Sequence, residues 1–148
     1  APMNPPHVMN AALDRPAVAA LLAACDLPHE DLTDAHLADF TGVEVDGRLA
    51  GVAGLERYGA DGLLRSVAVD PAFRGCGLAT HLVDTLEARA HAQGVRTLYL
   101  LTTTAEVFFA RRGYARTDRA AAPEAIRGTA EFAALCPSTA VCMRKTLA

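Results

Sequence analysis

The chain has 148 residues, enough for one domain with a buried core, and we expect a single domain over residues 1–148. Hydrophobic residues make up 51% and charged residues 21%, a balance that argues against disorder. The net charge of −3 and the scattered basic residues argue against nucleic acid as a partner. No apolar run reaches the ~20 residues of a membrane span, and no secretory leader is visible, so we expect a cytoplasmic protein without a membrane partner.

The first forty residues predict a weak strand followed by two helices. Residues 1–12 begin with prolines and continue with scattered apolar residues, which indicates a frayed first strand. Asp14 is suited to cap a first helix that ends before Pro28. A second helix is predicted from Glu30 to Phe40.

The next stretch has a two-residue period and predicts three strands joined by tight turns. The first strand alternates apolar and polar residues before the turn Asp46-Gly47, and the second covers Leu49 to Tyr58. Gly51 and Gly54 in the second strand indicate a bulge or a close backbone approach. An apolar strand over Leu63–Val69 completes an antiparallel meander.

The second half of the chain alternates helices and strands. The predicted elements are a helix from Leu78 with Gly94 at its end, a strand Val95–Leu101, a short helix Ala105–Arg112, a strand from Tyr114, a helix Pro123–Leu135 and a strand Ser138–Thr146. No repeat and no linker interrupts this order.

The segment Arg74-Gly75-Cys76-Gly77-Leu78-Ala79 connects an apolar strand to the start of a helix. The first N–H groups of a helix have no intrahelical partner, and the helix dipole adds partial positive charge there. Glycine lacks the Cβ atom that would keep an anion at a distance. The order strand, basic residue, glycine-rich turn and helix predicts a phosphate site, with a plain connection as the alternative.

Three blocks of the sequence resemble the GNAT superfamily of acetyl-CoA-dependent N-acetyltransferases. One is the strand end Val67-Ala68-Val69-Asp70-Pro71. The pyrophosphate pattern Arg/Gln-x-x-Gly-x-Gly/Ala is met by Arg74, Gly77 and Ala79. The downstream pattern of that family is met by Ala105, Phe108, Phe109, Gly113 and Tyr114. The blocks lie within residues 63–114, and the order of predicted elements extends the resemblance over almost the whole chain.

The resemblance implies an α/β (α+β) fold with a mixed, mostly antiparallel twisted sheet of six to seven strands and about four helices. It also implies acetyl-CoA as co-substrate and no metal. In that family the pantetheine arm lies along the central strand and the pyrophosphate lies on the turn. The implied cofactor-binding residues are Val67, Ala68, Val69, Arg74, Gly75, Cys76, Gly77, Leu78, Ala79, Thr80, Ala105 and Phe108.

Direct attack of an amine on the thioester needs a neutral amine and a proton acceptor. Some relatives carry a glutamate on the central strand where this chain has Leu63. Glu56 and Glu44, on neighbouring strands, are the predicted cleft carboxylates, with Glu56 favoured as base and Glu44 toward the substrate; either could be solvated instead. Strand alternation places Arg65 with Leu63 and Val67, where it is predicted to grip a substrate carboxylate or, alternatively, to lie on the surface.

The leaving CoA thiolate is protonated by a tyrosine in many relatives, at the position of Phe109 here. That role is therefore absent or moved to Thr102, our candidate, to Thr103, Tyr99 or Tyr114, or to water. Cys76 at the helix start is interpreted as an amide donor, with acyl-enzyme chemistry as the minor alternative.

Two segments carry a narrower resemblance. Leu101-Thr102-Thr103-Thr104-Ala105 followed by Phe108-Phe109 looks like the amino-acid N-acetyltransferase branch, and the segment from Ala122 to Met143 resembles small acetyltransferases associated with arsenic resistance. The predicted function is acetyl transfer to the amine of a small amino-acid-like substrate, an arsenical amino acid among the candidates. The resemblance leaves a homodimer open.

The four cysteines show no C-x-x-C spacing and do not predict a zinc site. Without a dense disulfide framework they are typical of a reducing compartment. Cys136 and Cys142 could approach one another and offer soft ligands to trivalent arsenic, although burial as small apolar groups is the commoner fate of free cysteine. The alternative function is therefore a catalytically silent module that binds acyl-CoA or arsenic(III).

Overall fold

The computed structural model describes residues 7–9 and 13–147. The chain divides into two compact units, one of residues 1–55 and 66–88 and the other of residues 56–65 and 89–148. Strands β3 (Arg48–Tyr58) and β4 (Asp61–Val69) and helix α3 (Leu78–Ala92) each contribute to both units. The single domain over residues 1–148 stays a prediction.

The strands of the first unit follow the order β1 (His7–Met9), β2 (Phe40–Val45), β3 and β4. The turn between β2 and β3 has φ of 49° at Asp46 and 76° at Gly47, the left-handed pair that two-residue hairpins require. The antiparallel register shifts between Val43 and Glu44, which confirms an irregularity near Gly51. These strands and the first turn agree with the predicted meander.

Two glycines of β3 allow close packing within the first unit, because a Cβ atom at either position would collide with a neighbouring residue. A Cβ atom on Gly54 would lie 2.4 Å from the Phe40 ring. One on Gly51 would lie 2.8 Å from the Leu82 side chain and 3.2 Å from the Ala68 carbonyl oxygen. The close approach predicted for both glycines is confirmed.

Helix α1 (Arg15–Ala24) begins as predicted, because the Asp14 carboxylate accepts the Ala17 N–H at 3.2 Å. Val18, Leu21 and Leu22 form its buried face. They belong to one core cluster with residues that flank α1 and with residues of β2, β3 and β4: Leu13, Leu32, Leu37, Phe40, Val52 and Ala68. Full burial of each large aliphatic side chain contributes about 1.5–3 kcal/mol, so this helix is held by its apolar stripe.

The predicted helix Glu30–Phe40 is wrong in length. Only α2 (Asp34–Leu37) is helical, because Thr33 begins it through a capping box with His36. Phe40 instead opens β2, fully buried and paired with Gly54. The sheet therefore takes the apolar residue that the sequence pattern assigned to a helix face.

The strands of the second unit follow the order β3, β4, β5 (Thr97–Thr102), β7 (Val141–Thr146) and β6 (Ala115–Arg116). β4 and β5 are parallel, whereas β7 is antiparallel to both of its neighbours. Helix α4 (Glu106–Arg111) follows β5, close to its predicted bounds. The mixed, mostly antiparallel sheet flanked by helices confirms the predicted fold class.

The predicted helix Pro123–Leu135 is interrupted. Helix α5 (Glu124–Arg127) stops at Gly128, and a separate π-helical turn covers Glu131–Leu135. The Thr129 hydroxyl donates to the Ile126 carbonyl at 2.7 Å, and its oxygen accepts the Phe132 N–H. A side chain that competes for backbone partners breaks the helix at this point.

The core of the second unit joins strands to the segment that follows β6. Its buried members are Leu63, Tyr99, Ala122, Ile126, Phe132 and Cys142. None of the helices in the described part of the chain has the length and apolar character that crossing a membrane requires.

Candidate functional site

The parallel ladder between β4 and β5 is short. It pairs Asp61–Leu63 with Thr97–Tyr99, while β4 continues to Val69 and β5 to Thr102. Ser66 in β4 has φ of 59°, an unusual value within a strand, and it interrupts the side-chain alternation between Arg65 and Val67, which the prediction placed on one side. The later part of β4 thus lies outside the described ladder with β5, as expected of a strand that offers backbone groups to a ligand.

The residues after β4 fix the direction in which the chain leaves the strand. The Asp70 carboxylate accepts the Ala72 N–H at 2.9 Å and one Arg48 N–H at 2.9 Å. The Asp70 N–H in turn donates to the Ala50 carbonyl at 2.8 Å. Arg48 also lies over the Phe73 ring, 5.6 Å from its centroid. This anchoring brings the chain into the glycine turn in one defined direction.

The predicted phosphate turn has an open, left-handed backbone. Gly75 and Gly77 have φ of 80° and 77°, and a Cβ atom added to either would meet no heavy atom within 4 Å. Leu78 then begins α3, a helix of 15 residues. The free space beside both glycines and the N–H groups at the helix start give the turn the form of an anion site.

Arg74 connects the turn back to the end of β4. Its Nε–H donates to the Val69 carbonyl at 3.2 Å, and an Nη–H approaches the Cys25 sulfur at 3.6 Å. The Cys25 thiol also donates to the Val69 carbonyl at 3.6 Å. The guanidinium is thereby held beside the turn, and the Val69 carbonyl already has two donors.

The remaining residues predicted to bind the cofactor differ in exposure. Cys76 is exposed, whereas Leu78 and Ala68 are buried and contribute apolar packing. The other members are half-buried: Val67, Ala79, Thr80, Ala105 and Phe108. Within the first unit the structure brings together the strand end and the turn; Ala105 and Phe108 lie in the second unit.

A buried ionic cluster lies in the second unit, and it contains two of the predicted site residues. The Arg65 side chain is fully buried, and its Nη1–H donates to Glu56 Oε2 at 2.8 Å. The Glu56 side chain is 10% exposed. Arg65 therefore lies in the interior of the protein rather than on its surface.

Two members of this cluster were missed in the sequence. Tyr58 donates its hydroxyl to Glu56 Oε1 at 2.5 Å, and Glu131 Oε1 lies 3.4 Å from Arg65 Nε. Tyr58 is two residues from Glu56 on one strand, a spacing that places both on one face and could have revealed it. Glu131 is a lone acid in an otherwise apolar stretch, a pattern that could have indicated a buried ion pair.

Thr102 and Glu44 are the other predicted polar site residues, Thr102 in the second unit and Glu44 in the first. The Thr102 hydroxyl oxygen accepts the Ala105 N–H at 3.0 Å and shapes the turn into α4. Glu44 lies on β2 in the first unit, half-buried and opposite His7 and Leu49. Their predicted roles stay predictions.

Phe109, which replaces the tyrosine of many relatives, is part of an aromatic cluster. It is 6% exposed and makes edge-to-face contacts with Phe108 and Tyr114, with ring centroids 5.0 and 5.5 Å apart. Tyr99 and Tyr114 are themselves buried. These rings stabilise the start of α4 and the strand beyond it.

The cysteines occupy different environments. Burial raises the pKa of the Cys142 thiol to about 11, with Asp118 adding to the rise and Arg119 opposing it. Cys136 is half-buried, and its N–H donates to the Glu131 carbonyl. At neutral pH Cys142 is therefore a protonated residue of the core, in agreement with its interpretation as a small buried apolar group.

The chain is similar to known acetyltransferases in sequence. The model of the acetyltransferase (GNAT) family matches residues 10–117. The amino-acid acetyltransferase of Ralstonia nicotianae is 35% identical over 85 residues, which are 56% of this chain and 19% of that protein. That of Pseudomonas fluorescens is 33% identical over 86 residues, 57% of this chain and 20% of the relative. The chain thus spans about a fifth of the length of the curated relatives that it matches.

Solved structures share the fold. N-acetylglutamate synthase from Neisseria gonorrhoeae, complexed with coenzyme A and N-acetyl-glutamate, superposes with a TM-score of 0.83 at 22% identity. The superposition includes 100% of this chain and 36% of the synthase chain. At 22% identity, this similarity shows the fold alone. Rv2747 from Mycobacterium tuberculosis, in complex with CoA and NLQ, has a TM-score of 0.82 at 26% identity and covers 97% of this chain and 100% of its own.

Proposed function

The chain belongs to the acetyltransferase (GNAT) family, a family that uses acetyl-CoA as co-substrate, and on that premise we propose that it acetylates the amine of a small amino-acid-like molecule. The observation that carries the proposal is the open glycine turn between β4 and α3. Its two left-handed glycines, the anchored Arg74 and the start of a long helix supply the donors that a pyrophosphate needs.

The end of β4 is the proposed path of the pantetheine arm. Its backbone beyond Leu63 lies outside the ladder with β5, and an extended chain that carries amides can add to such an edge as a further strand would. Val67 and Val69 are the proposed partners. The thioester carbonyl would then lie near the Val69 N–H, which polarises it.

The reaction is direct transfer. The neutral amine attacks the thioester carbonyl carbon, so that a C–N bond forms and the C–S bond breaks. One proton leaves the nitrogen, and the CoA thiolate departs and takes a proton from water, either directly or through the Thr102 hydroxyl, which regains its own proton from that water. Glu56 is the proposed acceptor for the nitrogen's proton, directly or through one water molecule, because its carboxylate is oriented by two donors.

The proposed substrate class follows from the named relatives. Two matched proteins are amino-acid acetyltransferases, and one structural neighbour was solved with N-acetyl-glutamate. We therefore propose a free amino acid or a close analogue as acceptor. An arsenical amino acid belongs to this class. We propose it as a candidate acceptor only because the segment from Ala122 to Met143 resembles acetyltransferases associated with arsenic resistance.

Two measurements on the full chain test this proposal: calorimetric titration with acetyl-CoA and an assay for the release of free CoA thiol. Titration with acetyl-CoA should give saturable binding, and free CoA thiol should form only when an accepted amine is present. The panel should hold the common amino acids, simple amines without a carboxylate, and an arsenical amino acid. Acetylation of amino acids above the simple amines supports the substrate class, whereas turnover with simple amines alone contradicts it.

The same measurement separates the enzyme from the silent binding module. The buried phenyl ring of Phe109 favours that alternative, because it cannot protonate the leaving thiolate. Binding of acetyl-CoA without turnover on any amine of the panel would support the module. Failure to bind acetyl-CoA at all would contradict the enzyme and the acyl-CoA-binding module, and would leave only the arsenic(III)-binding form of the alternative.

A further inference from the structure

An acidic side chain lies buried in the segment that follows α5. Glu131 opens the π-helical turn Glu131–Leu135, and its side chain is only 5% exposed. A buried carboxylate needs a cation or several hydrogen-bond donors, because the loss of its hydration is otherwise strongly unfavourable. Its oxygen Oε1 lies 3.4 Å from Nε of Arg65, so this acid is part of the same cluster as Glu56.

The Arg65 guanidinium contacts the two glutamates through different nitrogens. Nη1 donates to Glu56 and Nε faces Glu131. Because the guanidinium is planar and rigid, two contacts on separate nitrogens fix its orientation. The other Glu56 oxygen receives the Tyr58 hydroxyl, so each oxygen of that carboxylate has its own donor.

The backbone that carries Glu131 is itself held in place. Arg119 donates to the carbonyl oxygens of Phe132 and Pro137, both at 3.0 Å, and its guanidinium lies 5.8 Å from the centroid of the Phe132 ring. The Thr129 hydroxyl oxygen accepts the Phe132 N–H at 3.4 Å. Glu131 therefore faces Arg65 from a fixed support.

We propose that Glu131 is a positioning residue for the acetyl transfer: it holds the Nε edge of Arg65, so that Arg65 offers only Nη1 to Glu56. This inference rests on the proposed function of Glu56 as proton acceptor. Without the negative charge of Glu131, the guanidinium can turn and pair with Glu56 through two parallel hydrogen bonds. Such a pair occupies the lone pairs that must accept the proton of the amine.

The same geometry gives Arg65 a role that differs from a clamp on the substrate. Its charge is used between two carboxylates of the protein, and its side chain is fully buried. A substrate carboxylate would have to enter the interior of the protein to reach it. The positioning role needs no such entry.

The test is a double-mutant cycle on the full chain, with Glu131→Gln, Glu56→Gln and the double variant. We expect Glu131→Gln to lower kcat about tenfold while the KM for acetyl-CoA stays unchanged. In the Glu56→Gln background the same change should lower kcat less than twofold, because Glu131 acts through Glu56. Glu124→Gln, an exposed acid of the same segment, is the matched control and should retain the kcat of the unmodified chain.

Two kinetic outcomes would overturn the proposal. One is an equal kcat for Glu131→Gln and Glu124→Gln. The other is a tenfold loss in both backgrounds, which would show that Glu131 acts independently of Glu56. Either result with an active unmodified enzyme leaves the acetyltransferase function in place.

Hydrogen exchange gives a readout that does not depend on activity. Peptides over residues 124–135 should exchange faster in Glu131→Gln and in Arg65→Met. The variant that combines these two changes should show no further increase, and Glu124→Gln should leave the exchange of these peptides unchanged. A protein that binds acetyl-CoA but acetylates no amine would contradict the proposed function. Unchanged exchange in Glu131→Gln would contradict the contact on which the positioning role depends.

Discussion

The glycine turn and the Arg65 cluster are built in opposite ways. The turn is exposed, and its proposed function comes from backbone groups and from two glycines, one residue apart in the chain, that adopt left-handed conformations. The cluster is buried, and it uses charged side chains from two strands and from the distant π-helical turn. One region is local in sequence and the other depends on tertiary packing.

This difference predicts different responses to substitution. A charge added to the turn should affect the ligand and leave the fold intact, since the space beside the glycines is open. A charge removed from the cluster should affect the fold as well as catalysis, because its partners stay buried. The following predictions measure that contrast, beginning with the largest effect.

Removal of the buried cation should give the largest change in stability. Arg65→Met leaves Glu56 and Glu131 without the guanidinium between them, and we expect the free energy of unfolding to fall by about 3–5 kcal/mol. Urea denaturation measures this change. Arg116→Met is the control, because it removes an exposed ion pair with Glu106 and should have little effect. Similar losses for both variants would mean that the cluster is not a buried ionic unit.

A carboxylate in the turn should abolish most of the affinity for acetyl-CoA. Gly77→Asp places a negative charge where the pyrophosphate is proposed to bind, and we expect at least a ~100-fold weaker Kd by calorimetry. Gly47→Asp is a matched control, since Gly47 has nearly the same φ and equally open surroundings in a hairpin. Because both variants carry the same backbone strain, equal affinity in the two would contradict the phosphate site.

A cysteine of the exposed turn and a cysteine of the second unit's core should react with iodoacetamide at different rates. Cys76 in the turn is exposed, whereas burial holds the pKa of Cys142 at about 11. At pH 8 the raised pKa and the burial of Cys142 should together make its alkylation at least ~20-fold slower than that of Cys76, as measured by mass spectrometry of the alkylated peptides. Fast alkylation of Cys142 would contradict its burial as a protonated thiol and would favour the alternative prediction that it is an arsenic ligand.

The smallest effect is expected at the exposed ion pair of Glu106 and Arg116. The hydrogen bond from Arg116 lowers the pKa of Glu106 in the folded protein. Its contribution to stability is therefore present above the ordinary pKa of 4.5 and is lost as the pH falls through the lower folded value. Glu106→Gln should lower Tm slightly at pH 7, less in high salt, and not at all in strong acid. A Tm difference that persists in acid would contradict this assignment.

The accuracy of the sequence predictions followed the range of the interactions involved. Helix α1 was predicted because Asp14 and the stripe of Val18, Leu21 and Leu22 lie within a few turns of one another. The helix predicted to Phe40 was wrong because the partner of Phe40 is Gly54, in the next strand. The helix predicted over Pro123–Leu135 was wrong because Thr129 takes backbone partners that periodicity does not describe.

The sequence by itself determined the family, the order of elements and the glycine turn, because each depends on neighbours along the chain and on a backbone that only glycine adopts readily. Tertiary structure alone decided that Arg65 is buried between Glu56 and Glu131, that Tyr58 orients Glu56 and that Cys142 lies in the core. Burial and ion pairing depend on which distant residues meet. A one-dimensional pattern contains the charges but does not fix the partners of each.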